Sequence, residues 1–147
     1  MKLFNQKQLA ITLMALGAVP FVVLSALILL AIRPGVLPAS PAAMLHGYAV
    51  LTASFVAGLH WGIHFCKRTC DSLYLISTGI VLLLWYSMGL MGTAKGFATV
   101  LLGFVLLWVV EYRLSAQRVT TAWFWRVRNW VSGLVTLCLL AVILARA

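Results

Sequence analysis

The chain has 147 residues, of which 64% are apolar and 9% charged, with a mean hydropathy of +1.08. A soluble domain is about 45–50% apolar and about 25% charged, so the composition excludes a soluble globular domain, a disordered tail and a disulfide-stapled module, and the chain lacks the alternating segments of a membrane β-barrel. The 11 Lys and Arg stand against only Asp71 and Glu111, a net charge of +9, but they lie at the ends of apolar runs rather than on one polar face, which excludes a nucleic-acid partner.

What remains is an all-α integral membrane protein, one domain over residues 1–147. A helix needs about 20 apolar residues to cross the hydrocarbon. Five stretches meet that need, at about 9–32, 42–65, 73–91, 97–112 and 129–145. The first runs 24 residues, longer than the roughly 7–15 of a signal-peptide core, and reads as a retained helix. It is closed by Arg33, Pro34 and Gly35.

Orientation follows from the cations. Lys2, Lys7, Lys67, Arg68, Arg113, Arg118, Arg126 and Arg128 fall on one side, and Arg33, Lys95 and Arg146 on the other. Short loops obey the positive-inside rule. The expected bundle of five transmembrane helices therefore has a cytoplasmic N-terminus and a periplasmic C-terminus, in a bacterial inner membrane.

The second span carries the unusual residues. Gly47, Ser54, Gly58 and Gly62 fall within about 80° of one another on a helical wheel. Lipid gives helices no hydrophobic reason to associate, so small residues mark close packing. The spacing predicts another helix against this ridge. His46, His60 and His64 share a second stripe, with Ala53 and Ala57 between them. Ionisable groups inside a membrane are costly and point to function. His60, Trp61 and His64 are therefore the candidate ligand-binding residues. Local hydrogen bonding to neighbouring helices competes with that role. Bis-histidine haem ligation needs a histidine on each face of the ring, and all three histidines are on one span. No acidic residue shares the histidine face, so no metal site is expected. Cys66, Cys70 and Cys138 read as structural thiols.

Residues 113–128 are expected to form an amphipathic cytoplasmic segment. Trp123, Trp125, Arg126 and Arg128 are its membrane-surface residues, because Trp enriches at the lipid–water interface. Glu111 and Asp71 are expected to pair with neighbouring cations. No P-loop, GxSxG or HExxH occurs, and no catalytic residue is expected.

Three segments carry a resemblance: LGAVPF (Leu16–Phe21), YAVLTASFVAGLHWG (Tyr48–Gly62) and WFWRVR (Trp123–Arg128). The chain resembles a domain-of-unknown-function family of small bacterial inner-membrane proteins that includes the mitochondrial transmembrane protein 69. The resemblance marks Pro20, Tyr48, Ser54, Gly58, His60, Trp61, Gly62, Trp123 and Arg128, and places Glu111 where the family often has an acidic residue. His64, Cys66 and Cys70 lie outside its pattern, and Phe124 replaces its Tyr. It implies no reaction, and its bacterial and mitochondrial spread implies a role near respiratory membranes.

Two functions follow as expectations. One is an accessory, assembly or scaffold subunit that contacts another integral membrane protein, or a second copy of itself, within the bilayer. The other is a quinone-, haem- or lipid-binding module built on His60 and Trp61. A resident cofactor is not expected.

Overall fold

The computed structural model describes residues 6–67, 72–116 and 121–146. Lys2, Arg68, Cys70, Asp71 and Arg118 lie outside them. Five helices follow in chain order: α1 (Gln6–Leu29), α2 (Pro41–Lys67), α3 (Ser72–Met88), α4 (Ala94–Ala116) and α5 (Ala122–Arg146). Among the described residues there is no strand. α1, α2, α4 and α5 are long and apolar enough to cross a membrane.

Local chemistry sets the ends. α1 stops in a Schellman motif: Ile32 N donates to Leu27 O and Ala31 N to Ile28 O, with Ala31 at φ 54°. That is the left-handed residue such a cap requires, here without the usual glycine. α2 starts with Ser40 as N-cap, its Oγ accepting from Ala43 N at 3.2 Å, and Pro41 follows as the first helical residue. α3 is the short helix. Its 17 residues reach about 25 Å, less than the hydrocarbon thickness of about 30 Å. A tight turn ends it, with Gly92 at φ +75°, and Thr93 caps α4 by accepting from Gly96 N at 3.0 Å.

The last two helices differ from the sequence reading. α4 extends to Ala116 and α5 begins at Ala122. Residues 113–116 and 122–128 of the expected amphipathic segment are thus the last turn of α4 and the first turns of α5, and 117–120 lie outside the described residues. The cause is pairing across the α4–α5 hairpin. Trp108 Nε1 donates to Asn129 Oδ1 at 2.7 Å, and Arg128 bonds Glu111. Trp125 packs against Trp108 and Tyr112.

α2 packs on α1, α3 and α4, and α5 packs on α1 and α4. Among the described residues α2 and α5 make no close contact with each other. Four helices therefore surround a centre where the Phe21 and Phe104 rings meet edge to face at 6.0 Å. α3 lies outside, against α2 and α4.

The predicted ridge is a correction. Among the described residues no helix covers it: a Cβ added at Gly47, Gly58 or Gly62 would meet nothing within 4 Å. Gly58 and Gly62 are exposed, and Ser54 is half-buried. The close packing is on the opposite side of α2, where Ala49, Ala53 and Ala57 are buried beside His46 and His60. Both faces are lined by small residues, and Ala serves close approach as Gly does. The glycines that meet tight contact are Gly96 and Gly103 on α4. A Cβ there would strike the Leu90 carbonyl oxygen and, at 2.9 Å, the Leu84 side chain respectively.

Candidate functional site

His46 and His60 point into the core, 0% and 1% exposed. Each pairs with a serine of α3. His46 Nε2 lies 3.2 Å from Ser87 Oγ, and that hydroxyl donates to Leu84 O at 2.6 Å. The serine hydrogen is thereby used, so His46 donates through Nε2 and is protonated there. His60 Nδ1 is hydrogen-bonded to Ser77 Oγ at 3.2 Å. The two pairs tie α2 to α3 near opposite ends of the shared surface. His60→Leu removes one tie and leaves a buried hydroxyl without its partner. A loss of about 1 kcal/mol is expected, largely recovered by adding Ser77→Ala. Thermal melts of the three proteins in one detergent check this.

Of the three candidate ligand residues, Trp61 and His64 meet on one ring and His60 is buried one turn deeper. Trp61 points outward and stacks edge-on against Tyr74, with centroids 4.8 Å apart. His64 packs on the same Tyr74 ring at 4.2 Å. Trp61, His64, Phe65 and Tyr74 form an aromatic corner where α2 ends and α3 begins, while His60, one turn deeper on the same stripe as His64, is buried against Ser77 of α3. One turn of helix separates His60 from His64, but about 100° separates His60 from Trp61. Among the described residues no group of three His, Cys, Asp or Glu could hold a metal ion.

What the fold brings together instead is a groove bounded by α1, α2, α4 and α5. It encloses about 500 Å³. Leu13 and Gly17 of α1, Phe55 and Leu59 of α2, and Phe124 and Arg128 of α5 are among its walls. It exists because α2 and α5 are held apart, and Phe21 and Phe104 floor it. Tyr48 Oη closes its upper wall by donating to the Gly17 carbonyl at 2.8 Å. Pro20 stands three residues beyond that carbonyl and cannot donate to the turn before it. The groove opens outward along α2, where Leu51 is 70% and Phe55 69% exposed.

One charge lines it. Arg128 Nε donates to both carboxylate oxygens of Glu111 at 3.0 Å, and both side chains are nearly buried. The expected pairing of Glu111 with a nearby arginine is present, and the partner is Arg128. Trp123 lies at the same end of the bundle, with the Lys7 ammonium 5.8 Å from its ring. Arg126 is exposed there, and Trp125 is half-buried against α4. Cys66 and Cys138 are free thiols.

Sequence reading missed the groove, because it arises between four helices distant in the chain. Arg128 was visible as a cation, but its burial was not. A signal was present: Glu111 and Arg128 both sit inside an otherwise uncharged helical register.

The family described as "Protein of unknown function (DUF3429)" matches residues 6–144. No curated protein and no solved structure matches.

Proposed function

The chain belongs to the DUF3429 family of proteins of unknown function, and from that premise we propose that it is a non-catalytic integral membrane protein that holds an amphipathic membrane molecule in the α1/α2/α5 groove. The observation that carries the reading is the groove itself. Its volume of about 500 Å³ lies within the range of ligand pockets, about 300–1,000 Å³. Its walls are apolar, and its few polar groups include one arginine, as expected for a site that takes a hydrophobic body and one polar end. This keeps the ligand-binding expectation and moves it from His60 and Trp61 to Arg128. Haem has no supporting ligand pair, since all histidines are on α2.

The test is gentle extraction followed by native mass spectrometry and a visible spectrum. The expected result is one small molecule per chain, released by organic solvent, with no Soret band. A bare chain from native nanodiscs would sink the reading.

The open ridge of Ser54, Gly58 and Gly62 favours a second reading, an accessory or assembly protein that docks a helix of another membrane protein on that face. Small-xxx-small faces serve helix association in lipid. Gly58→Leu is then expected to abolish crosslinking to the partner without lowering the melting temperature of the isolated chain. Equal crosslinking in both proteins would refute it. The cytoplasmic N-terminus, the bacterial inner membrane, the respiratory setting and the kinship with the mitochondrial protein belong to the same proposal. They are supported by the cation distribution and by the resemblance. An N-terminal reporter found periplasmic would reverse the topology.

A further inference from the structure

Resting on the groove reading above, we propose that the occupant is an anionic phospholipid, with one acyl chain along the apolar walls and its phosphate against Arg128 and Lys7. Three observations point to this chemistry. The first is charge. The groove lining holds Arg128 and no acidic residue. Among the described residues, this end of the bundle carries Lys7, Arg113, Arg126 and Arg128 against Glu111 alone. An anion is attracted to such a mouth and a cation repelled. Basic pockets between transmembrane helices bind anionic headgroups for this reason.

The second is the way Arg128 is held. Guanidinium has five N–H donors in a rigid fork suited to phosphate. Glu111 is bound through Nε. The ion pair fixes the side chain at the groove wall, so little side-chain entropy is lost on meeting a headgroup. Phe124, four residues before Arg128, lines the same groove, and Trp123 beside it carries Lys7 over its ring. Lys7 and Arg128 thus stand at the same end of the bundle.

The third is the direction of the opening. The exposed Leu51 and Phe55 edge faces sideways, as an entry from within the bilayer must. A two-chain lipid can place one chain in the groove and leave the other among its neighbours. The polar end of the groove lies toward the bundle end where α1 and α5 begin, which is where a headgroup of that leaflet would stand.

The test uses the full chain in mild detergent, delipidated and then offered phosphatidylglycerol and phosphatidylcholine of identical acyl chains, read by native mass spectrometry. One phosphatidylglycerol should survive activation that strips other lipids, with a preference of about fivefold or more over phosphatidylcholine, since each nearby cation contributes about 1 kcal/mol. Lys7→Gln with Arg126→Gln should lower the preference for phosphatidylglycerol over phosphatidylcholine. Ser132→Phe and, from the facing wall, Thr52→Phe should each abolish occupancy. Either one suffices should the other fail to fold. Equal retention of the two lipids, or a retained quinone, overturns the phospholipid assignment and leaves the amphiphile reading standing. No retained amphiphile of any kind overturns both.

Discussion

Gly96→Ala is expected to lower the stability of the bundle by about 3 kcal/mol, and Gly58→Ala to leave it unchanged. The two substitutions add the same methyl group to a glycine of a long apolar helix. At Gly96 the new Cβ would strike the Leu90 carbonyl oxygen of the α3–α4 turn and come within 2.9 Å of the His46 ring. Neither neighbour yields easily. The carbonyl belongs to a turn pinned by Thr93 N donating to Leu90 O at 3.1 Å, and His46 is buried against Ser87 and Phe97. Forcing extra volume into a well-packed core costs about 1–3 kcal/mol, with the upper end where backbone must move. At Gly103 the obstacle is the end of the Leu84 side chain at 2.9 Å, which can rotate, so Gly103→Ala should cost about 1 kcal/mol. At Gly58 there is open space within 4 Å. Helix propensity favours Ala there if anything. Unfolding each protein in mixed SDS–maltoside micelles gives the order. Equal loss at Gly58 and Gly96 would mean that the ridge is packed and the α4 contacts are not.

Removing either member of the Arg128–Glu111 pair is expected to cost about 3 kcal/mol, and removing both to cost clearly less than the sum. The side chains are 13% and 11% exposed, and the two bonds to the carboxylate are 3.0 Å. Breaking a buried pair from one side leaves an uncompensated charge in a poor solvent, worth about 3–5 kcal/mol. Arg128→Leu strands Glu111 on α4, and Glu111→Leu strands Arg128 at the groove. The double substitution leaves apolar surfaces facing each other, and such replacements are often near neutral. A cycle over Glu111→Leu, Arg128→Leu and the double variant, measured by the same micellar unfolding, isolates the coupling. Additive losses would show that each residue acts through other neighbours. A weak dependence on added salt is also expected, because screening acts poorly on buried pairs.

These contrasts show what a linear reading can reach. Apolar runs near 20 residues and the edges set by Pro34, Pro41 and Gly92 suffice for five helices, because helix length and breakers are local properties. The ends of α4 and α5 were not legible. Trp123–Arg128 looks like a surface segment from its own composition, and it is helical because Trp108 and Glu111 of the preceding helix meet Asn129 and Arg128. The same limit explains α2. Its wheel shows two small-residue faces, one of glycines and one of alanines with histidines. Periodicity identifies both and ranks neither, since which is covered depends on where α3 and α4 pass.

The candidate site divides along the same line. That His60 is buried and hydrogen-bonded could be anticipated from the cost of an ionisable ring in lipid. That Trp61 faces away from it follows from the helical repeat. The groove could not be anticipated. It is a gap between α2 and α5, helices separated by more than 50 residues, and it opens only because α1 and α4 hold them apart. Composition and charge placement thus determine an all-helical chain with helices apolar enough to cross a membrane and cations gathered toward one end. Tertiary structure decides which small face is packed, which arginine is buried and where space is left. Those outcomes depend on contacts between distant segments, and no single segment encodes them.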